Sequence, residues 1–219
     1  GRGLLTLQGP TGMFINPTSA TLPQGAFTAQ YCAFFPFVDT SIVGHGWMAS
    51  YGLTDWFEAG LQAGYVDNAI DPSGFGPLAR ARLTKDEGWM PQTSIGFYGK
   101  YGDTAIQSSN VFGALYKRLP LDEDGIFKAL GGHAGLRGSW VDGGDALVGY
   151  FGAELQLPYR LYIVGELSTR DDISGDTMPF SYGLQWRAGG INLSAAMLQP
   201  GGIPGGPGFY FGIGTQLSF

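Results

Sequence analysis

Few residues in this chain could do covalent or metal chemistry, and their spacing suits it poorly. The 219 residues hold two histidines, His45 and His133, and one cysteine, Cys32. A serine nucleophile needs a base within hydrogen-bond reach. His45 runs into Gly46-Trp47 and His133 into Ala134-Gly135, so neither carries a serine close behind it. The sequence therefore offers no catalytic residue. Two distant histidines and a lone cysteine make no zinc or copper set, which needs clustered ligands. Asp171, Asp172 and Asp176 share one polar stretch but lack the Asp-x-Asp-x-Asp-Gly spacing of a calcium loop, and read as a solvated rim. No metal and no cofactor is expected, and Cys32 reads as a small buried filler.

The chemistry that remains is electrostatic. Glu58, Arg80, Arg82, Lys100, Arg137, Glu154, Glu166 and Arg187 stand singly among small and apolar residues. Lys117 and Arg118 are adjacent, so one of them at most shares the face of the others, and the spacing leaves open which. A soluble surface carries charge at roughly 25–35% of its positions. Isolated charges suit a confined interior where each finds partners.

The elements that must carry these charges follow from a period of two. Phe209, Phe211, Ile213, Thr215, Leu217 and Phe219 alternate with Tyr210, Gly212, Gly214, Gln216 and Ser218. Phe57, Ala59, Leu61, Ala63 and Tyr65 alternate with Glu58, Gly60, Gln62 and Gly64 in the same way. Such alternation makes strands with one apolar face and one polar or small face. About twelve segments show it, at 25–35, 41–51, 56–66, 77–85, 91–101, 109–119, 128–140, 146–157, 160–170, 179–188, 190–198 and 209–219. Short connectors alternate with longer ones along the chain, the sequence form of an up-and-down meander. No 3.6-residue period persists, and with 38 glycines a helix would lose ~1 kcal/mol at each glycine site.

Composition excludes several classes. The net charge of −6 argues against nucleic-acid binding, which wants a basic stripe. One cysteine excludes a disulfide framework. With 44% hydrophobic residues the chain is too apolar for disorder, and no apolar run approaches the ~18 residues of a membrane helix.

Three features send the apolar face to lipid rather than to a soluble core. The polar face is glycine-rich and sparsely charged. Aromatics gather near segment ends: Trp47, Tyr51, Trp56, Tyr65, Trp140, Trp186 and Phe209 are the expected membrane-interface residues. A tilted strand needs ~9–11 residues to cross, which these segments supply. The fold class expected is all-β: a transmembrane antiparallel up-and-down β-barrel of about twelve strands over residues 25–219, with both termini on the periplasmic side. Residues 1–24 differ, being broken by Gly9-Pro10, Asn16-Pro17 and Leu22-Pro23; they read as a leader, a lumen plug or a short extra strand.

The chain resembles bacterial outer-membrane barrel proteins at its end. Gly214, Leu217 and Phe219, with Thr215, Ile213 and Phe211 alternating around them, look like the C-terminal signal read by the barrel assembly machinery. The polar residue usual at its start would fall on Gly212, a departure for which Tyr210 stands in. The stretch 51–61 (YGLTDWFEAGL) looks like a periplasmic hairpin of such barrels. Residues 12–25 (GMFINPTSATLPQG) resemble the opening of YjbH-type barrels associated with exopolysaccharide export. Neither histidine shows the His-x-Ser pattern of the outer-membrane phospholipase, so no enzyme is expected.

The function expected is a narrow, polar pore or channel for small solutes in a bacterial outer membrane. The alternative is a non-conducting barrel that anchors or scaffolds a surface or export assembly. The isolated charges would line the lumen, either leaving a mildly anion-favouring gap or meeting across the axis as a salt-bridged plug. Expected partners are outer-membrane lipid and lipopolysaccharide, the assembly machinery, and a protein at the loops or the periplasmic face.

Overall fold

A computed structural model describes residues 14–37, 39, 41–68, 70–104, 106–141, 144–170, 178–200 and 206–218. Twelve strands follow in chain order: β1 (Ala26–Pro36), β2 (Val43–Gly52), β3 (Phe57–Asp67), β4 (Ser73–Thr84), β5 (Gln92–Gly102) and β6 (Ser108–Pro120), then β7 (Ala129–Val141), β8 (Gly144–Gln156), β9 (Leu161–Ser168), β10 (Phe180–Ala188), β11 (Ile191–Gln199) and β12 (Gly208–Ser218). Each pairs antiparallel with its chain neighbours. β1 closes on β12 from Ala26↔Ser218 to Pro36↔Gly208, so the sheet has no free edge. Closure satisfies the inter-strand hydrogen bonds internally, the condition for strands to cross a bilayer. The strands agree with the sequence-derived segments to within a few residues.

The connectors sort to two ends. The chain terminus of β12, the start of β1 and the five turns β2–β3, β4–β5, β6–β7, β8–β9 and β10–β11 lie at one end, the turn end. The β10–β11 turn is Gly189-Gly190, with Gly189 at φ 47°, a conformation other residues rarely adopt. The remaining connectors occupy the opposite, loop end.

The faces follow the pleat. Outward positions carry Leu61, Phe75, Leu136, Leu147 and Phe151, each at least 60% exposed. A belt of exposed large apolar side chains on this scale has no place in water and fits a hydrocarbon surround. Inward positions are buried and mixed. The Lys117/Arg118 ambiguity resolves by register: β6 turns Asn110, Phe112 and Ala114 inward, which puts Arg118 on the inner register and Lys117 outside. Lys117 instead reaches Asp86 in the β4–β5 turn at 2.5 Å, and also bonds the Gly88 carbonyl.

Candidate functional site

The barrel interior is built in two layers. Toward the loop end, Phe34, Tyr98, Phe112, Tyr150, Leu198 and Tyr210 point inward and form an apolar cluster. Glycine makes room for it. Gly135 and Gly96 lie opposite Tyr150 and Phe112 in register, and a Cβ on either glycine would overlap the partner's ring. Inner-face glycines thus admit rings from the adjacent strand, not from the opposite wall. Alternation had put Tyr210 on the polar register, but the inward rings of Phe34, Tyr98, Phe112 and Tyr150 escaped the sequence reading, although their signal is there: a large ring on the register otherwise held by Ser, Gly and Gln.

Toward the turn end the wall is charged. Arg80 and Glu58 face each other across β3–β4 and pair at 3.2 Å, with their side chains 1% exposed. On the far side, Arg187 of β10 reaches Glu154 of β8 at 2.6 Å. Glu154 also accepts from Tyr116 Oη at 3.2 Å and lies 3.5 Å from His133 Nε2. The Arg187 guanidinium rests 4.0 Å from the centre of the Tyr162 ring and donates to Gln185. A cavity of about 170 Å³ opens beside this cluster, lined by Tyr116, Arg118, Gln156, Tyr162 and Arg187 among others. The two arrangements expected for these charges were an open gap or pairs across the axis. The structure differs from both: Glu58–Arg80 and Glu154–Arg187 join adjacent or next-but-one strands along the wall. Side chains on neighbouring inner positions are within reach of each other, whereas the axis is already occupied.

The occupant is the N-terminal segment. Residues 14–22 lie inside the barrel, with Phe14, Ile15, Asn16, Ser19, Thr21 and Leu22 at most 2% exposed. The chain turns back into the lumen at Gly25, whose φ is 77°. The wall charges hold its backbone. Glu166 accepts from the N–H groups of Phe14, Ile15 and Asn16 at 2.9, 2.5 and 3.1 Å, and from Ser181 Oγ. Arg137 donates to Asn16 Oδ1 at 2.7 Å. Arg80 donates to the carbonyls of Thr18 and Ala20. Gln92 donates to the Ser19 carbonyl at 2.6 Å, and Glu58 accepts from Leu22 N–H. Carboxylates that accept several backbone N–H groups, and arginines that saturate carbonyls, are the strong class of hydrogen bond. The sequence reading could not reach these contacts, because they join residues up to 152 positions apart.

The other expected lumen residues stand as follows. Arg82 is partly exposed on the inner register near the turn end, where its N–H bonds the Trp56 carbonyl. Lys100 is partly buried toward the loop end, with its Nζ beside Gly64. Among the described residues neither side chain makes an ion pair.

On the outer face, Tyr51, Trp56 and Trp186 lie toward the turn end, and Tyr65, Trp140 and Phe209 toward the loop end. Trp47 sits farther inside the belt, packed with His45 at 5.9 Å and Tyr31 at 5.5 Å. His45 stacks on Tyr65 as well and shares a 2.7 Å hydrogen bond with Tyr31 Oη, an ordinary lipid-face histidine. Cys32 is buried on the inner register. Gly214 faces inward and Leu217 outward, 48% exposed; Phe219 lies outside the described residues, as do Asp171, Asp172 and Asp176. Among the described residues no three His, Cys, Asp or Glu side chains converge to hold a metal.

A closed antiparallel meander of twelve strands with a lipid-type exterior and a charged interior narrows the comparison to one architecture. The fold is that of a porin. The chain is similar to the KdgM porin in complex with disordered oligogalacturonate, with a TM-score of 0.61 and 11% identity over 88% of this chain and 99% of that one. It is similar to a second KdgM porin structure, with a TM-score of 0.57 and 11% identity over 89% and 99%. No protein-family model matches the sequence, and no curated protein matches it. At this identity the likeness to the porins is one of backbone architecture.

Proposed function

We propose that this chain is an outer-membrane channel of the porin type that passes small polar solutes. The observation that carries the reading is a closed twelve-strand barrel of porin fold whose inner wall, toward the turn end, is charged and polar. An apolar exterior flanked by aromatics supports residence in a membrane, with lipid and lipopolysaccharide as its surround. The turn end would face the periplasm. A protein partner at the loops or the turn end, and recognition of Gly214, Leu217 and Phe219 by the assembly machinery, belong to the same proposal.

Planar-bilayer conductance of the purified protein tests it. Unitary steps with a mild anion preference are expected. That preference falls in Arg82→Ala and Lys100→Ala, because these cations lack an ion-pair partner among the described residues. An inserted, folded protein that stays silent in every variant, including those that loosen residues 14–22, would overturn the reading and favour the scaffold.

A further inference from the structure

We infer that residues 14–22 form a displaceable strap that closes the lumen, hinged at Gly25. This rests on the channel reading above. Four observations carry it. First, the barrel is complete without the strap, since the β1–β12 seam and every other ladder close among the strands alone. Second, the twelve strand ladders do not include the strap, whose one bridge-type pairing among the described residues is at Pro17. Its anchors are instead wall side chains: Glu166 and Arg137 high in the barrel, Glu58, Arg80 and Gln92 low.

Third, the strap packs into the loop-end aromatic layer of the lumen. Phe14 meets Tyr210 edge-on at 5.7 Å, and Ile15 is buried in the same cluster. The wall below is built of groups that water can satisfy. Among the described residues Gln30 Oε1, Ser50 Oγ, Gln62 Oε1 and Ser94 Oγ are buried without a hydrogen-bond partner. A permanently dry interior is better served by apolar side chains there, whereas a lumen that fills with water satisfies all four. Fourth, the hinge is defined. Gly25 holds the left-handed turn, its N–H bonds the Gly52 carbonyl at 2.9 Å, and Gln24 N–H bonds Asp55 at 3.1 Å. Gly52 leaves the space that the Pro23 carbonyl occupies, so the base of the strap is clamped to the β2–β3 turn while the rest is held by side chains.

The test uses the full chain in planar bilayers. Ser19→Cys and Gln92→Cys, in a Cys32→Ala background, are bridged by a short bifunctional thiosulfonate and released with reductant. The bridged protein is expected to be silent and the released one to show steps. Glu166→Gln, which weakens the anchor of three backbone N–H groups, should raise the open-to-closed ratio by about tenfold, equivalent to ~1.4 kcal/mol. Identical steps before and after release would overturn the strap and leave the channel standing. Silence in the released protein and in Glu166→Gln, with heat-modifiable gel migration showing a folded barrel, would overturn both.

Discussion

Two acid–base clusters of the same residue types sit on opposite walls of the barrel and are completed differently. Glu58 and Arg80 pair with each other and also bond the backbone of the strap, at Leu22, Thr18 and Ala20. Glu154 and Arg187 are completed by the wall itself, through Tyr116, Gln185 and the Tyr162 ring, beside a cavity of about 170 Å³. A charge in a confined interior needs a full set of partners. The first cluster borrows part of its set from a segment outside the sheet; among the described residues the second is seen bonded only to strand residues. The same chemistry is therefore a docking point on one wall and a finished internal structure on the other.

The largest expected effect comes from breaking the first cluster. Glu58→Ala removes the ion-pair partner of Arg80 and the acceptor for Leu22 N–H, and should cost about 3 kcal/mol in denaturant unfolding from detergent micelles. A cost below about 1 kcal/mol would mean that water already reaches this wall.

Ile15→Ala comes next. Truncating a buried Ile costs about 2 kcal/mol where the site cannot collapse. Here the loss should fall on the strap alone. Amide exchange should quicken at Phe14, Ile15 and Asn16, where the N–H groups bond Glu166, while the β7–β8 ladder keeps its protection. Equal quickening in β7 and β8 would show that strap and barrel open together.

Glu154→Gln should cost less, about 1 kcal/mol, since Arg187 keeps Gln185 and the Tyr162 face and the adjoining cavity admits water. Strap amides should not respond. If they do, the two clusters are coupled and the contrast between them fails.

The smallest effect is at the rim. Burial of Asp86 opposes its ionised form, but the hydrogen bonds from Lys117 and from Arg118 N–H outweigh it and hold the carboxyl below the ordinary Asp range. The folded state therefore binds the proton less readily than the unfolded one. The pair's contribution is full above the ordinary Asp range and is lost as pH falls through the lowered folded value. For a partly exposed pair it amounts to about 0.5 kcal/mol. The acid limb of an unfolding titration of Asp86→Asn, compared with the parent chain, measures it. An unchanged limb would remove the pair from the account.

Much of this was legible in the chain. Alternation places Phe57, Ala59 and Leu61 opposite Glu58 and Gly60 whatever the surroundings, because successive strand side chains must point to opposite faces. The same rule put Glu154, Glu166 and Arg187 on the inner wall. It could not choose between Lys117 and Arg118, because neighbouring charges satisfy either register; the pleat of β6 and the position of Asp86 made that choice. Nor could it say what the inner charges bind, since a period describes one strand and not what lies across the lumen.

The sequence by itself determined about twelve alternating segments, an apolar face, a sparsely charged polar face and a proline-broken opening unlike the rest. These are local properties, set by side-chain period and by residues that lack an N–H or a Cβ. The tertiary structure alone decided that Glu166 would hold Phe14, Ile15 and Asn16 from 150 to 152 positions away, and that rings at Tyr150 and Phe112 would lie over glycines on the next strand. The physical reason is closure. Only when β12 meets β1 does the polar face become an enclosed wall, where a buried charge such as Glu166 is stabilised by whatever shares the lumen.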